Sequence, residues 1–135
     1  MMRQLPGTKT MRILVADDDE LLRDSIELAL NARGHSVAAS QGKAALSLLA
    51  GERWDALIVD ILMPEVDGIE MIQVARQGAN PPLVVAISGG GKISADECLS
   101  MASAFGVEAV FRKPLDLEAV ITSVERGGAA SRLSS

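Results

Sequence analysis

The chain has 135 residues, of which 48% are hydrophobic and 2% aromatic, and its formal net charge is −5. This length fits one domain with a single hydrophobic core and leaves no room for two ordinary domains. The acidic balance argues against nucleic acid or an anionic membrane surface as a partner, and the scarcity of aromatic rings leaves little surface for stacking on bases.

Three further features of the sequence bear on its compartment. A single cysteine excludes an internal disulfide. The longest aliphatic run, residues 83–87, is far too short to span a bilayer. The N-terminus lacks the apolar core of a signal peptide. We therefore expect a cytoplasmic protein without membrane insertion.

Five short apolar segments are predicted to be β-strands. The runs over residues 13–16, 56–59 and 83–87 are apolar without alternation, which is typical of parallel strands buried on both faces. The segments 35–39 and 108–112 are less apolar and are predicted to be edge strands. His35, the single histidine, is expected to have a structural role at the start of its strand.

A helix is predicted after each strand, because apolar residues recur there at helical spacing. Gly34 and Gly127 are predicted to end the first and last of these helices. The predicted helices cover residues 20–33, 42–50, 67–77, 94–105 and 115–126. The order of elements is therefore (βα)₅, and right-handed crossovers make it a doubly wound α/β sheet.

The ends of the chain differ in composition from its centre. Residues 1–10 are polar and contain Pro6-Gly7, and residues 127–135 are small and polar. We predict a disordered leader over 1–10, a domain over 11–126 and a flexible tail over 127–135.

Polar residues follow four of the predicted strands, at the edge where such sheets bind ligands. These residues are Asp17, Asp18, Asp19 and Glu20 after strand 1, Asp60 after strand 3, Ser88 to Gly91 after strand 4, and Lys113-Pro114 after strand 5. Acids at this place also cap helices, and aspartate is common in turns. Three carboxylates on adjacent strand ends would nevertheless repel one another strongly in a partly desolvated pocket.

A divalent cation and the ammonium of Lys113 are the two groups that relieve this repulsion. Mg²⁺ suits the site because it accepts one or two carboxylates, keeps several waters and binds phosphate oxygens. A carboxylate beside Mg²⁺, a lysine and the hydroxyl of Ser88 favours phosphoryl transfer to that carboxylate.

These motifs resemble those of the receiver domains of two-component response regulators. The matching segments are ILVADDDELLR (13–23), GHSV (34–37), IVDILMPEVDGIEM (58–71), AISG (86–89) and FRKP (111–114). The resemblance covers roughly residues 11–126 with the motifs in order. It implies a flavodoxin-like three-layer α/β sandwich with a parallel sheet in the order 2-1-3-4-5.

The resemblance also implies a role for each strand-end residue. Asp60 is the expected phosphoacceptor. Asp17, Asp18 and Asp60 are expected to hold Mg²⁺ with the backbone carbonyl of Leu62. Ser88 and Lys113 are expected to bind the phosphoryl group. Asp19 is expected to cap the first helix. Gly89, Gly90, Val110 and Pro114 belong to the loop and the face expected to switch on phosphorylation.

The sequence departs from the family at the switch. The family usually has Tyr or Phe three residues before the lysine, where this chain has Val110, and strand alternation points Phe111 to the opposite face. Three glycines, Gly89 to Gly91, follow Ser88. Our hypothesis is that this loop, rather than an aromatic side chain, transmits phosphorylation to the helix over 94–105.

The resemblance implies a signalling phosphoacceptor that catalyses only its own phosphorylation and dephosphorylation. The expected donor is a histidine kinase or a histidine-phosphotransfer protein, and the target is an unknown protein. No attached output domain is expected after residue 113, so the domain either shuttles phosphate or binds a target directly.

One alternative function is a phosphatase resembling the haloacid dehalogenases. Residues 17–20 match its DxDx motif, with Asp17 as the nucleophile, and Ser88 and Lys113 would serve as its later motifs. Leu21 stands where that family has Thr or Val, and the sequence after Lys113 does not match the late acidic pair of that family. The aspartate that becomes phosphorylated, Asp60 or Asp17, distinguishes the two functions.

Overall fold

The computed structural model describes residues 10–61, 63, 66–89, 94, 97, 100 and 103–134, with the backbone alone for 129–134. The predicted leader lies almost entirely outside these residues. The strands are β1 (Arg12–Ala16), β2 (Ser36–Ser40), β3 (Ala56–Asp60), β4 (Leu83–Ser88) and β5 (Ala109–Arg112). They pair in parallel in the order β2-β1-β3-β4-β5, which confirms the predicted doubly wound fold with β2 and β5 at the edges.

The helices follow the strands in chain order, and the first and third of them begin directly after the aspartates that the sequence indicates. They are α1 (Glu20–Ala32), α2 (Gly42–Gly51), α3 (Gly68–Gln77) and a C-terminal helix (Leu117–Ser134). The side chain of Asp19 caps α1 by accepting a hydrogen bond from the Leu22 N–H, as expected. Asp67 caps α3 by accepting from the Ile69 N–H.

The predicted helix over 94–105 lies only partly within the described residues. Glu97, Ser100 and residues 103–105 are helical. The Glu97 N–H donates to Ser94 Oγ over 3.1 Å, which is the capping contact that the sequence predicts. Phe105 is half-buried against the core.

Two apolar cores lie on opposite faces of the sheet. Alternate strand residues such as Leu14, Leu57 and Val84 pack with α2 and α3 on one face. Their neighbours Ile13, Ile58 and Val85 pack with α1 and the C-terminal helix on the other. The strands β1, β3 and β4 are therefore buried on both faces, which explains their unbroken apolar sequences. The sheet and the helices on its two faces form three layers.

The predicted end of the last helix is wrong. Gly34 ends α1 as predicted, with a φ of 90°. Gly127 does not end the C-terminal helix, which continues to Ser134 through most of the predicted tail. A Cβ at Gly127 would stand 2.6 Å from Leu83 Cδ2, and one at Gly128 would stand 2.9 Å from Met11 Cε. These glycines therefore permit close packing on the sheet instead of marking a stop.

A buried polar cluster joins the C-terminal helix to the end of the sheet where the strands begin. Glu125 accepts from Arg33 Nη2 over 2.5 Å and pairs with His35 Nε2 over 2.8 Å. His35 Nδ1 accepts from the Met11 N–H over 3.0 Å. These contacts confirm the structural role predicted for His35.

Within the described residues, no helix is both long enough and apolar enough to cross a membrane.

Candidate functional site

The acidic residues after β1 and β3 come together at one edge of the sheet. Ala16 and Val59 are register partners, so Asp17 and Asp60 follow paired positions on adjacent strands. Both are buried, with 0% of Asp17 and 3% of Asp60 exposed, whereas Asp18 is exposed. This edge lies where the strand order reverses between β1 and β3, the place where doubly wound sheets bind ligands.

Lys113 brings a positive charge to these carboxylates from the end of β5. Its Nζ lies 3.2 Å from Asp60 Oδ2 and 3.6 Å from Asp17 Oδ1. Its backbone N–H donates to the Ser88 carbonyl over 2.9 Å, which ties the residue to the end of β4. Burial alone would lower the pKa of Lys113, but the carboxylates of Asp60 and Asp17 outweigh burial and raise it. The lysine therefore stays charged beside the aspartates.

The carboxyl of Asp17 has a raised pKa. Burial raises the pKa of its carboxyl to about 6, a hydrogen bond from the Asp19 N–H to Oδ1 opposes this rise, and the Asp60 carboxylate adds to it. Its other oxygen, Oδ2, is buried and has no hydrogen-bond partner among the described residues. An unpartnered buried carboxylate oxygen is costly unless a cation or a proton satisfies it.

The carboxylates of Asp17, Asp18 and Asp60 can hold a metal ion. One ligand oxygen from each lies within 4.8 Å of the others. Together with the unpartnered Asp17 Oδ2, this arrangement offers hard oxygen ligands in a small space. Such ligands fit a hard divalent cation.

The other predicted site residues lie around this group. Ser88 is buried at the end of β4, next to Gly89, whose nearest contact for an added Cβ is Lys113 Cδ at 3.9 Å. Pro114 is exposed and follows Lys113 through a cis peptide bond. Leu62 and Gly90 lie outside the described residues.

Val110 and Phe111 point to opposite faces of β5, as predicted. Val110 packs on the core of α2 and α3, whereas Phe111 packs on the core of α1 and the C-terminal helix. Phe111 therefore does not replace the aromatic ring that the family usually has at the position of Val110.

Two residues that contact the site were missed by the sequence analysis. Arg23 Nη1 donates to the backbone carbonyl of Asp17 over 2.9 Å. Gly68 packs so closely on the peptide after Asp60 that an added Cβ would lie 2.5 Å from Ile61 Cα. Arg23 could have been found from the sequence, because an arginine three residues after the acidic run at 17–20 lies within reach of that run. Nothing in the local pattern marked Gly68 as a contact.

A family model described as the response regulator receiver domain matches residues 13–125. The chain belongs to the response regulator receiver domain family. As a receiver domain, it is a phosphoacceptor of two-component signalling. The match lies inside the predicted domain over 11–126, whose limits stay a prediction.

Relatives and solved structures agree with this family. The response regulator MprA of Mycolicibacterium vanbaalenii is 42% identical over 77 residues, which are 56% of this chain and 33% of that protein. MprA of Mycobacterium avium is 43% identical over 77 residues, 56% of this chain and 34% of that protein. The chain thus spans about a third of the length of these relatives.

Among solved structures, the receiver domain of the Francisella response regulator 1452 aligns with a TM-score of 0.80 at 24% identity, covering 90% of this chain and 99% of that one. A CheY-like receiver domain protein from Methanospirillum hungatei aligns with a TM-score of 0.81 at 20% identity, covering 94% and 100%. At these identities the likeness shows the shared fold.

The family match removes the support for the phosphatase alternative. That alternative used the acidic run after β1 with Ser88 and Lys113 as later motifs, whereas the receiver-domain match extends over residues 13–125.

Proposed function

We propose that Asp60 is the phosphoacceptor and that it accepts its phosphoryl group in the presence of Mg²⁺ held at the same edge of the sheet. One observation carries this proposal: the buried Asp60 carboxylate contacts the Lys113 ammonium, and one of its oxygens lies within 4.8 Å of an oxygen of Asp17 and of Asp18. Asp17 is also buried at a strand end, but Asp60 makes the shorter contact with Lys113, at 3.2 Å against 3.6 Å.

The transfer takes place between a phosphohistidine of a partner and Asp60. A carboxylate oxygen of Asp60 forms a bond to phosphorus while the bond from phosphorus to the imidazole nitrogen breaks. The electron pair of the broken bond stays on the imidazole. The product on this chain is an aspartyl phosphate.

The neighbouring side chains of this chain bind and orient the phosphoryl group. Lys113 exchanges its contact with Asp60 for a phosphoryl oxygen, and the hydroxyl of Ser88 donates a hydrogen bond to another. Asp17, Asp18 and Asp60, with the backbone carbonyl of Leu62, would hold Mg²⁺. When bound, Mg²⁺ supplies positive charge to the oxygens of the group in transfer.

The partners follow from this chemistry. The donor is a histidine kinase or a histidine-phosphotransfer protein, and the encounter takes place in the cytoplasm. Aspartyl phosphate then shifts an equilibrium between two states on the face that includes β5 and the C-terminal helix, where a target protein binds. The shuttle and the direct effector are the two forms that this output can take.

Labelling with acetyl phosphate tests the acceptor role of Asp60 without a donor protein. The wild-type chain should be labelled in a Mg²⁺-dependent manner, and Asp60→Asn should abolish labelling because the acceptor oxygen is gone. Lys113→Ala should still be labelled. It should weaken phosphorylation-dependent binding of a target protein, because it removes the side chain that contacts the phosphoryl oxygen. Labelling of Asp60→Asn at the wild-type level would contradict the proposal.

A further inference from the structure

The side chain of Arg23 holds the turn that carries the metal-binding aspartates. Arg23 is the fourth residue of α1, is partly buried, and donates from Nη1 to the backbone carbonyl of Asp17 over 2.9 Å. β1 ends at Ala16, so this carbonyl lies beyond the strand's own pairing. The guanidinium thus supplies a partner that the sheet does not.

The carbonyl in question belongs to the peptide unit that joins Asp17 to Asp18. A peptide unit is planar, so fixing the direction of its oxygen also fixes where the next Cα lies. Asp17 has other anchors, because its N–H donates to the Ser40 carbonyl over 3.2 Å and its Oδ1 accepts from the Asp19 N–H. The exposed Asp18 carboxylate has no hydrogen bond or ion pair within the described part of the chain.

We propose that Arg23 is a positioning residue that orients the peptide between Asp17 and Asp18 and so aims the Asp18 carboxylate at the metal shared with Asp17 and Asp60. This inference rests on the proposed Mg²⁺ site. Outer residues that orient metal ligands typically change metal affinity by about 10- to 100-fold when they are removed. Arg23 contacts no phosphoryl group or metal in this role.

The charge and the hydrogen bond of Arg23 act in opposite directions on a bound cation. A nearby positive charge repels Mg²⁺, so its removal alone would tighten Mg²⁺ binding. Loss of the hydrogen bond lets the Asp17–Asp18 peptide turn away from the site, so removal of the hydrogen bond would weaken Mg²⁺ binding. The sign of the change in affinity therefore separates positioning from simple electrostatics.

Titration calorimetry with Mg²⁺ alone tests the proposal on wild-type protein, Arg23→Met and Arg23→Lys. We expect the Kd for Mg²⁺ to rise about 10-fold in Arg23→Met, at the lower end of the usual range. Arg23→Lys keeps a donor on a flexible stem and should recover most of the affinity. Arg126→Met, which removes an exposed arginine on the C-terminal helix, is the matched control and should bind as the wild type does.

The outcomes distinguish this inference from the function on which it rests. If the wild-type chain does not bind Mg²⁺, the proposed metal site itself is wrong. If the wild type binds and Arg23→Met binds equally or more tightly, the positioning role is overturned. Should Arg23→Met fail to fold by circular dichroism, Arg23→Leu, which also lacks a donor, takes its place: weaker Mg²⁺ binding than in Arg23→Lys supports the role, and binding as tight as in Arg23→Lys or tighter overturns it.

Discussion

Gly68, the first residue of α3, lies so close to Asp60 that a Cβ at Gly68 would stand 2.2 Å from the Asp60 backbone carbonyl oxygen. No real Cβ comes this close to a backbone atom, so any side chain at position 68 must displace the end of β3. The Gly68 N–H also donates to the Ile61 carbonyl over 3.0 Å, which closes the segment between them. The beginning of α3 is thus packed directly on the residue proposed to accept the phosphoryl group.

Gly68→Ala should therefore disturb both the fold and the acceptor. We expect a loss of about 1–3 kcal/mol in the free energy of unfolding, as for other overpacked sites, with slower labelling of Asp60 by acetyl phosphate. Urea unfolding and the labelling rate measure the two effects. Gly51→Ala is the matched control, since nothing lies within 4 Å of a Cβ there, and it should be neutral or slightly stabilising. Equal behaviour of the two variants would refute the close contact.

The raised pKa of Asp17 predicts how pH affects the metal-free fold. Burial raises this pKa from 3.8 to about 6, so folding favours the protonated carboxyl. The resulting stability is fully present below about pH 4 and is lost as pH rises through about 6. In the presence of a chelator, the wild type should therefore lose more stability between pH 5 and pH 7.5 than Asp17→Asn does. Identical changes in urea midpoint for the two proteins would contradict the raised pKa.

Mg²⁺ should reverse this dependence, because the cation binds the deprotonated carboxylate. Below about pH 6 its affinity should fall by up to about tenfold per pH unit as a proton competes for Asp17. Thermal unfolding with and without Mg²⁺ measures the effect: the stabilisation by Mg²⁺ should be large at pH 7.5 and small at pH 5.

The cluster of Arg33, His35 and Glu125 should matter for stability and not for the metal site. Glu125→Ala leaves a mostly buried guanidinium and a buried imidazole without their carboxylate, so we expect a loss of about 3 kcal/mol. The Kd for Mg²⁺ should not change, because the cluster lies where the strands begin and the site lies where they end. Glu118→Ala, at an exposed position in the same helix, is the control. A changed Mg²⁺ affinity in folded Glu125→Ala would contradict this separation.

The glycine loop after β4 is the predicted route of signalling, because Val110 offers no ring to switch. We expect amide exchange over residues 89–105 to change when beryllium fluoride is bound as a phosphoryl mimic. Gly89→Ala should fold and bind the mimic, since its Cβ would meet only Lys113 Cδ at 3.9 Å, but it should show a smaller change. Unchanged exchange in the wild type would show that the hypothesis is wrong.

The strands could be predicted from the sequence because the three central strands are buried on both faces of the sheet. β1, β3 and β4 are buried on both faces, and only unbroken apolar runs satisfy that burial. The starts of the helices after Asp19 and Asp67 could also be predicted, because a helix cap is a contact between residues close in sequence. The strand order came from the family resemblance, since local patterns do not specify which strands pair.

The errors at Gly127 and Gly68 both involve packing contacts that local sequence patterns do not report. The preference of glycine for helix ends predicts a stop at Gly127, whereas Gly127 lies within the helix and packs against Leu83 of β4. Gly68 was missed for the same reason. The meeting of Asp17, Asp60 and Lys113 was predictable because the topology brings strand ends together, but the protonation of Asp17 depends on burial that no local pattern reports.

The most direct test of the proposed function is to identify the phosphorylated residue. The chain is phosphorylated by acetyl phosphate with Mg²⁺, the acyl phosphate is reduced with borohydride, and the modified peptide is sequenced by mass spectrometry. We predict modification at Asp60, with none in the peptide that contains Asp17 and Asp18. Modification at Asp17, or Mg²⁺-dependent labelling that persists in Asp60→Asn, would contradict the central claim.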